Sequence, residues 1–186
     1  MQTDTRDSKG SRGHEESEPS ATFLRACRGL PVDHTPVWFM RQAGRYMPEF
    51  QSMHAKHSLF ELMQTPELSA RLTLLPVETL GVDAAVHFSD ILFPLTSLGF
   101  DVDINNDTGP ALANPVRSTY DIDLMATPPA EEHLDAALES ISVTVETIGS
   151  RGVPLIGIIG APFTLASYAI EGGSSRTFSR TKSLIY

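Results

Sequence analysis

The stretch Leu155-Ile156-Gly157-Ile158-Ile159-Gly160-Ala161-Pro162-Phe163-Thr164-Leu165-Ala166-Ser167-Tyr168-Ala169-Ile170-Glu171-Gly172-Gly173 decides the fold class. Its first residues are apolar without alternating with polar ones, the pattern of a strand covered on both faces in a parallel sheet. Pro162 before Thr164 then marks a turn leading into a helix, and Gly172-Gly173 marks the end of that helix. A strand feeding directly into a helix is the elementary unit of an α/β fold.

Working outward, Asp83-Ala84-Ala85-Val86-His87-Phe88 and Pro36-Val37-Trp38-Phe39-Met40 read as two further buried strands. Between them, Thr65-Pro66-Glu67 is a helix start, with a hydroxyl N-cap, Pro at the first position and an acid in the first turn. Leu68, Leu72 and Leu75 follow at helical spacing, and Pro76 is expected to kink or end that helix. A second helix is expected from about Ala130, with Leu134, Leu138, Ile141, Val145 and Ile148 on one apolar stripe and Gly149 or Gly152 as its stop. Asp101-Val102-Asp103-Ile104 reads as a short extra strand in the excursion between the second main strand and this helix.

The alternation predicts a TIM (β/α)8 barrel, of which about the first three βα units are present. Such a barrel typically takes about 250 residues, whereas this chain has 186. Residues 176–186 form an amphipathic segment with no stop signal. The sequence therefore reads as a truncated barrel over residues 21–186, preceded at 1–20 by a polar, charged tail expected to be disordered.

The chain is 41% hydrophobic and 20% charged, the balance of an ordinary globular protein. No apolar run approaches the roughly 20 residues of a membrane span. The N-terminus lacks a secretory core and is too acidic for a transit peptide, so a cytoplasmic location is expected. A net charge of −9 argues against a nucleic-acid partner. An acidic protein that binds an anion must also gather its few cations locally. The single Cys27 leaves no room for a disulfide framework or multi-cysteine metal site within this chain, and is expected as a buried or half-buried bystander. The histidines form no zinc-helix pair. His87, inside an apparent strand, reads as a packed residue, and no metal is expected.

In a barrel of βα units the reactive groups stand at the C-terminal ends of the strands. Here each strand runs into a polar cluster. The first meets Arg41-Gln42-Ala43-Gly44-Arg45, where two guanidinium forks flank a small, flexible pair and can bind carboxylates bidentately. Two plain surface arginines are the alternative. The second meets Asp90, an acid among Phe88, Ile91 and Leu92 that either serves the site or caps the following turn. The third leads to Tyr168, near the start of its helix, which either faces the barrel mouth or simply packs.

With these motifs in view, the sequence resembles uroporphyrinogen decarboxylases. The resemblance rests on Pro36 through Phe50, with its Arg41-Gln42-Ala43-Gly44-Arg45-Tyr46 run, on Phe88-Ser89-Asp90-Ile91-Leu92, and on Gly160-Ala161-Pro162-Phe163-Thr164 through Tyr168 to Glu171-Gly172-Gly173. Small departures are Phe163 where Trp is common, Ile158-Ile159 where Gly-Phe is frequent nearby, and Arg176 where Lys is frequent. The resemblance implies a cofactor-free carboxy-lyase of haem biosynthesis, a homodimer when full length, that removes the four acetate carboxyls of uroporphyrinogen III to give coproporphyrinogen III. It implies that Asp90 stabilises the cationic intermediate, that Arg41, Gln42, Ala43, Gly44 and Arg45 hold substrate together with Asp90, and that Tyr168 lines the pocket. The rival readings are a related barrel methyltransferase acting on cobalamin or a thiol, and an inactive fragment.

Overall fold

A computed structural model describes residues 21–105, 109–126, 129, 134–149 and 151–186. The first part of the chain forms α1 (Thr22–Cys27), α2 (Pro48–His54), α3 (Leu59–Gln64), α4 (Pro66–Leu80), β1 (Ala85–Val86) and α5 (Phe93–Ser97). There follow β2 (Val102–Asn105), β3 (Gly109–Leu112), α6 (Thr119–Asp123), α7 (Asp135–Ile148), β4 (Leu155–Ile156), α8 (Pro162–Glu171) and α9 (Ser179–Ile185). The expected tail lies outside the described residues.

The class is α/β. β1 and β4 pair in parallel, Ala85 opposite Leu155 and Val86 opposite Ile156, and α4 packs on both β1 and α7. Both strands are shorter than the sequence predicts. The short ladder is flanked by bonds from Ala85 N–H to the Pro154 carbonyl at 2.9 Å and from His87 N–H to the Ile156 carbonyl at 3.0 Å. The expected strand at 36–40 does not form. Toward β1 its backbone bonds at Val37, which accepts from Asp83 N–H and donates to the Asp83 carboxylate, whereas a strand needs a repeating backbone ladder.

α4 starts as expected, with Thr65 extended and Pro66 at the first position. Pro76 does not end it. The helix runs on to Leu80 because the face around the proline is buried, including Leu72, Thr73, Leu75 and Pro76 itself, and that packing outweighs one lost backbone bond. Gly81 makes the stop, in the left-handed conformation (φ 65°) that costs glycine little.

α7 departs from its expected stripe. Leu138 and Val145 are 50% and 53% exposed, while Ser140, Thr144 and Ile148 are buried. Ser140 faces inward because its hydroxyl meets Ser69 of α4 and His87 at the end of β1, while the buried Thr144 donates its hydroxyl to the Ser140 carbonyl of its own helix. The expected start at Ala130 lies outside the described residues, and Gly149 forms the C-terminal cap.

The extra strand forms as β2 and pairs antiparallel with β3, Val102 opposite Leu112 and Asn105 opposite Gly109. β3 escaped the sequence reading because Pro110 argues against a paired strand. This hairpin docks on the end of α8: Leu112 N–H donates to the Gly172 carbonyl at 3.0 Å and Val116 N–H to the Ala169 carbonyl at 2.9 Å. Leu92, Leu95, Phe100, Leu112, Val116 and Ala169 close an apolar cluster beneath it, each large side chain contributing about 1.5–3 kcal/mol of burial. Cys27 is exposed rather than buried, because α1 buries none of its side chains.

Candidate active site

The loop that carries the two arginines is pinned by its own residues. Gln42, only 2% exposed, donates from Nε2 to the Ala84 carbonyl at 3.0 Å and accepts at Oε1 from Phe39 N–H at 3.2 Å. It thereby staples the loop to the start of β1. The Tyr46 hydroxyl donates to the Gln42 carbonyl, and Gln51 Nε2 donates to the Arg45 carbonyl at 2.6 Å. On the other flank, Asp83 accepts from Val37 N–H at 2.7 Å and faces His34 Nε2 at 2.8 Å. The Val37 bond is the main cause holding the Asp83 carboxyl below the usual aspartate range, against an opposing effect of burial, with His34 adding to it.

At the end of β1, Asp90 Oδ1 accepts from Leu92 N–H at 2.8 Å. The turn-capping contact that the sequence left open is therefore real. It uses one carboxylate oxygen, and Asp90 also borders a cavity of about 520 Å3, within the range of small-molecule sites. Arg41, Gln42 and Ala43 border the same cavity, as does Tyr168. Tyr168 packs on the apolar cluster beside Leu92 and places its hydroxyl 3.4 Å from Ser174 Oγ. Tyr168 thus packs and borders the cavity at once.

Arg45 and Gly44 lie outside that lining. Of the two arginines, the structure brings Arg41 to the lining of the cavity and leaves the exposed Arg45 outside it. Sequence reasoning missed Pro110 and Ser174, which border the cavity from the hairpin and the turn after α8. The Gly-Pro pair at 109–110, a turn signal, was the available clue.

His87 also borders the cavity yet is buried, and burial pushes its pKa below the ordinary histidine range. Its Nε2 lies 3.0 Å from Ser140 Oγ. Among the described residues, no group of three or more His, Cys, Asp or Glu side chains is placed to hold a metal ion, and no helix is long and apolar enough to cross a membrane.

Arg41, Asp90 and Tyr168 therefore come from three separate segments of an α/β protein to one cavity of ligand-sized volume beside the ends of β1 and β4. The chain belongs to the uroporphyrinogen decarboxylase (URO-D) family, whose model matches residues 18–186. It is 50% identical over 165 residues to the uroporphyrinogen decarboxylases of Geobacillus sp. strain WCH70 and Bacillus subtilis strain 168. To that of Chloroflexus aurantiacus strain J-10-fl it is 46% identical over 164 residues. These alignments cover 88–89% of this chain but 46–47% of the relatives. The chain thus spans about half the length of the curated relatives it matches. A solved methyltransferase from Methanosarcina mazei aligns with a TM-score of 0.61 over 80% of this chain and 44% of its own, at 23% identity, a likeness of fold alone.

Proposed function

We propose that this chain supplies the Arg41–Asp90–Tyr168 part of a uroporphyrinogen decarboxylase site, in which uroporphyrinogen III loses CO2 from its four acetate side chains to give coproporphyrinogen III. The observation that carries the reading is the convergence of Arg41, Asp90 and Tyr168 on one cavity. The fold is read as the first three βα units of a TIM barrel, with the 36–40 segment in the place of the first strand. Support comes from the family match and from Ile159, 81% exposed just beyond β4, an apolar group that further strands would cover.

The chemistry needs an electron sink. A proton added to the pyrrole carbon bearing an acetate makes the ring cationic. The bond to the carboxylate then breaks, and its electron pair quenches the cation as CO2 leaves. Protonation of the exocyclic methylene gives a methyl group, and the ring carbon returns its proton. The net change per acetate is one proton taken up and one CO2 released. The substrate itself provides the sink, so neither a metal nor an organic cofactor is required.

Asp90 is the fixed negative charge for the cationic stage and the acceptor for pyrrole N–H groups; in a water-poor site such a preplaced charge is worth much more than in solution. Arg41 binds a substrate carboxylate through its fork. Gln42, Ala43 and Gly44 set the loop that presents it, with Arg45 reaching carboxylates at the cavity rim. Tyr168 forms the wall beside the reacting acetate. A cytoplasmic location and a homodimeric full-length enzyme complete the proposal. The test is anaerobic incubation of the protein, expressed from its complete gene, with uroporphyrinogen III, followed by chromatography of the oxidised porphyrins. Coproporphyrin should accumulate. A folded protein that leaves the substrate intact would overturn the reading.

A further inference from the structure

We infer that Ser69 and Thr73 are positioning residues for Asp90, acting through the backbone of Phe88; the inference rests on the proposed role of Asp90. The β1 ladder ends where His87 N–H meets the Ile156 carbonyl. At the next residue, both backbone groups turn to hydroxyls of one helix. Phe88 N–H donates to Thr73 Oγ1 at 2.8 Å, and the Phe88 carbonyl accepts from Ser69 Oγ at 2.7 Å. Ser69 and Thr73 are one helical turn apart on α4, so they share a face, and both are fully buried.

Each hydrogen in this cluster has one destination. Thr73 Oγ1 gives its own to the Ser69 carbonyl at 2.8 Å, which leaves its lone pair for Phe88 N–H. Ser140 Oγ of α7 donates to Ser69 Oγ at 2.9 Å, so the single hydrogen of Ser69 is directed to Phe88. Ser140 is then only an acceptor toward His87, whose Nε2 carries the proton of their 3.0 Å contact. Thr144 Oγ1 closes the set on the Ser140 carbonyl at 2.7 Å. A chain runs from His87 through Ser140 and Ser69 to the Phe88 carbonyl, every member satisfied, which is the condition under which a buried polar network fixes a single arrangement.

The clamp lies two residues before Asp90. The Phe88 ring packs edge-on to Phe50 at 5.7 Å between centroids, but a ring contact alone tolerates rotation of the peptide behind it. The peptide unit before Phe88 is held by its N–H and the one after it by its C=O, so neither turns freely, and the direction in which the chain leaves β1 toward Asp90 is set by α4.

The experiment uses the protein expressed from its complete gene and a double-mutant cycle. Thr73→Val keeps the shape and removes the acceptor. It should lower kcat/KM on the order of tenfold per folded site, mainly in kcat, as loss of a buried hydrogen-bond partner does. Thr73→Ser should restore most of the loss. In an Asp90→Asn background Thr73→Val should cost nothing more, because its effect passes through Asp90. Additive losses, or an unchanged rate in Thr73→Val, would overturn the inference while leaving the decarboxylase reading intact. Amide hydrogen exchange gives an arm independent of turnover. Thr73→Val and Ser69→Ala should each speed exchange at Leu92, whose N–H is capped by Asp90, and unchanged Leu92 protection in both would also overturn it. A wild-type protein without decarboxylation would instead overturn the functional reading beneath it.

Discussion

The imidazole of His87 lies 3.0 Å from the hydroxyl of Ser140, and this contact joins the end of β1 to the middle of α7 inside the core. Burial keeps the ring neutral by lowering its pKa. The unfolded chain therefore binds a proton, near the ordinary histidine value of about 6.5, that the folded chain resists. Stability rises with pH through that window. The contribution is complete above the unfolded value and is lost as pH falls below it. Thermal melts should show a Tm that drops between pH 7 and pH 5.5, with a flatter profile in His87→Gln, which keeps a donor and does not titrate. Equal slopes would refute the assignment. The depressed carboxyls of Glu78 and Asp83 act at lower pH, because their stabilising effect is lost only as pH falls below the ordinary carboxylate range.

Arg41 and Arg45 should not be equivalent. Arg41 borders the cavity and Arg45 does not, although sequence spacing treats them as a pair. A lysine keeps the charge and loses the planar fork. Steady-state kinetics should find a loss in kcat/KM on the order of tenfold or more in Arg41→Lys, the cost of a charge-assisted bond, and a smaller one in Arg45→Lys. A larger effect at Arg45 would reverse the order read from the structure.

Three longer helices were legible because their signals are local. Pro66 and Pro162 at first positions, and Gly149 and Gly172 at the ends, act within one turn of themselves, whereas Gly81, which ends α4, was passed over for Pro76. The strands were overread because a ladder depends on a partner that the local sequence does not contain; Val37 to Met40 is as apolar as a strand and makes none. The buried face of α7 was misjudged for a related reason. Ser140 looks like a solvent-facing residue until Ser69 and His87 are placed against it. The positions Arg41, Asp90 and Tyr168 stood out because each follows a strand-like run, whereas no pattern along the chain marks Ser69 or Thr73, whose partner Phe88 lies 19 and 15 residues away respectively.

Asp90 joins two roles that substitutions can separate. Asparagine retains an oxygen for the 2.8 Å bond from Leu92 N–H and removes the charge. Asp90→Asn should therefore melt near wild type and lose about a hundredfold or more in kcat, as other preplaced electrostatic groups do. Asp90→Ala should lose the same activity and also lower Tm, because an uncapped N–H costs about 0.5–2 kcal/mol. Circular dichroism melts beside the kinetics decide it: an Asp90→Asn protein that is unfolded, or fully active, contradicts the division.

The β4 end comes close to the Asp90 turn at Gly160. A Cβ built there would stand 2.5 Å from the Ile91 carbonyl oxygen and 2.6 Å from Leu165 Cδ2. Leu165 can change rotamer, but a carbonyl oxygen moves only with its backbone. Gly160→Ala must therefore displace the turn that holds Asp90 and its bond to Leu92, with an overpacking cost of about 1–3 kcal/mol. In a domain of this size that corresponds to a Tm lowered by roughly 3–10 °C. Gly157 offers an internal control three residues earlier on the same segment, since a Cβ there meets nothing within 4 Å. Gly157→Ala should melt and turn over like wild type, while Gly160→Ala should lose both stability and kcat/KM. If the two variants behave alike, the tight contact between Gly160 and Ile91 does not govern the site. If Gly160→Ala loses stability but keeps its rate per folded molecule, the displaced turn recovers its geometry and Asp90 is held mainly from the α4 side.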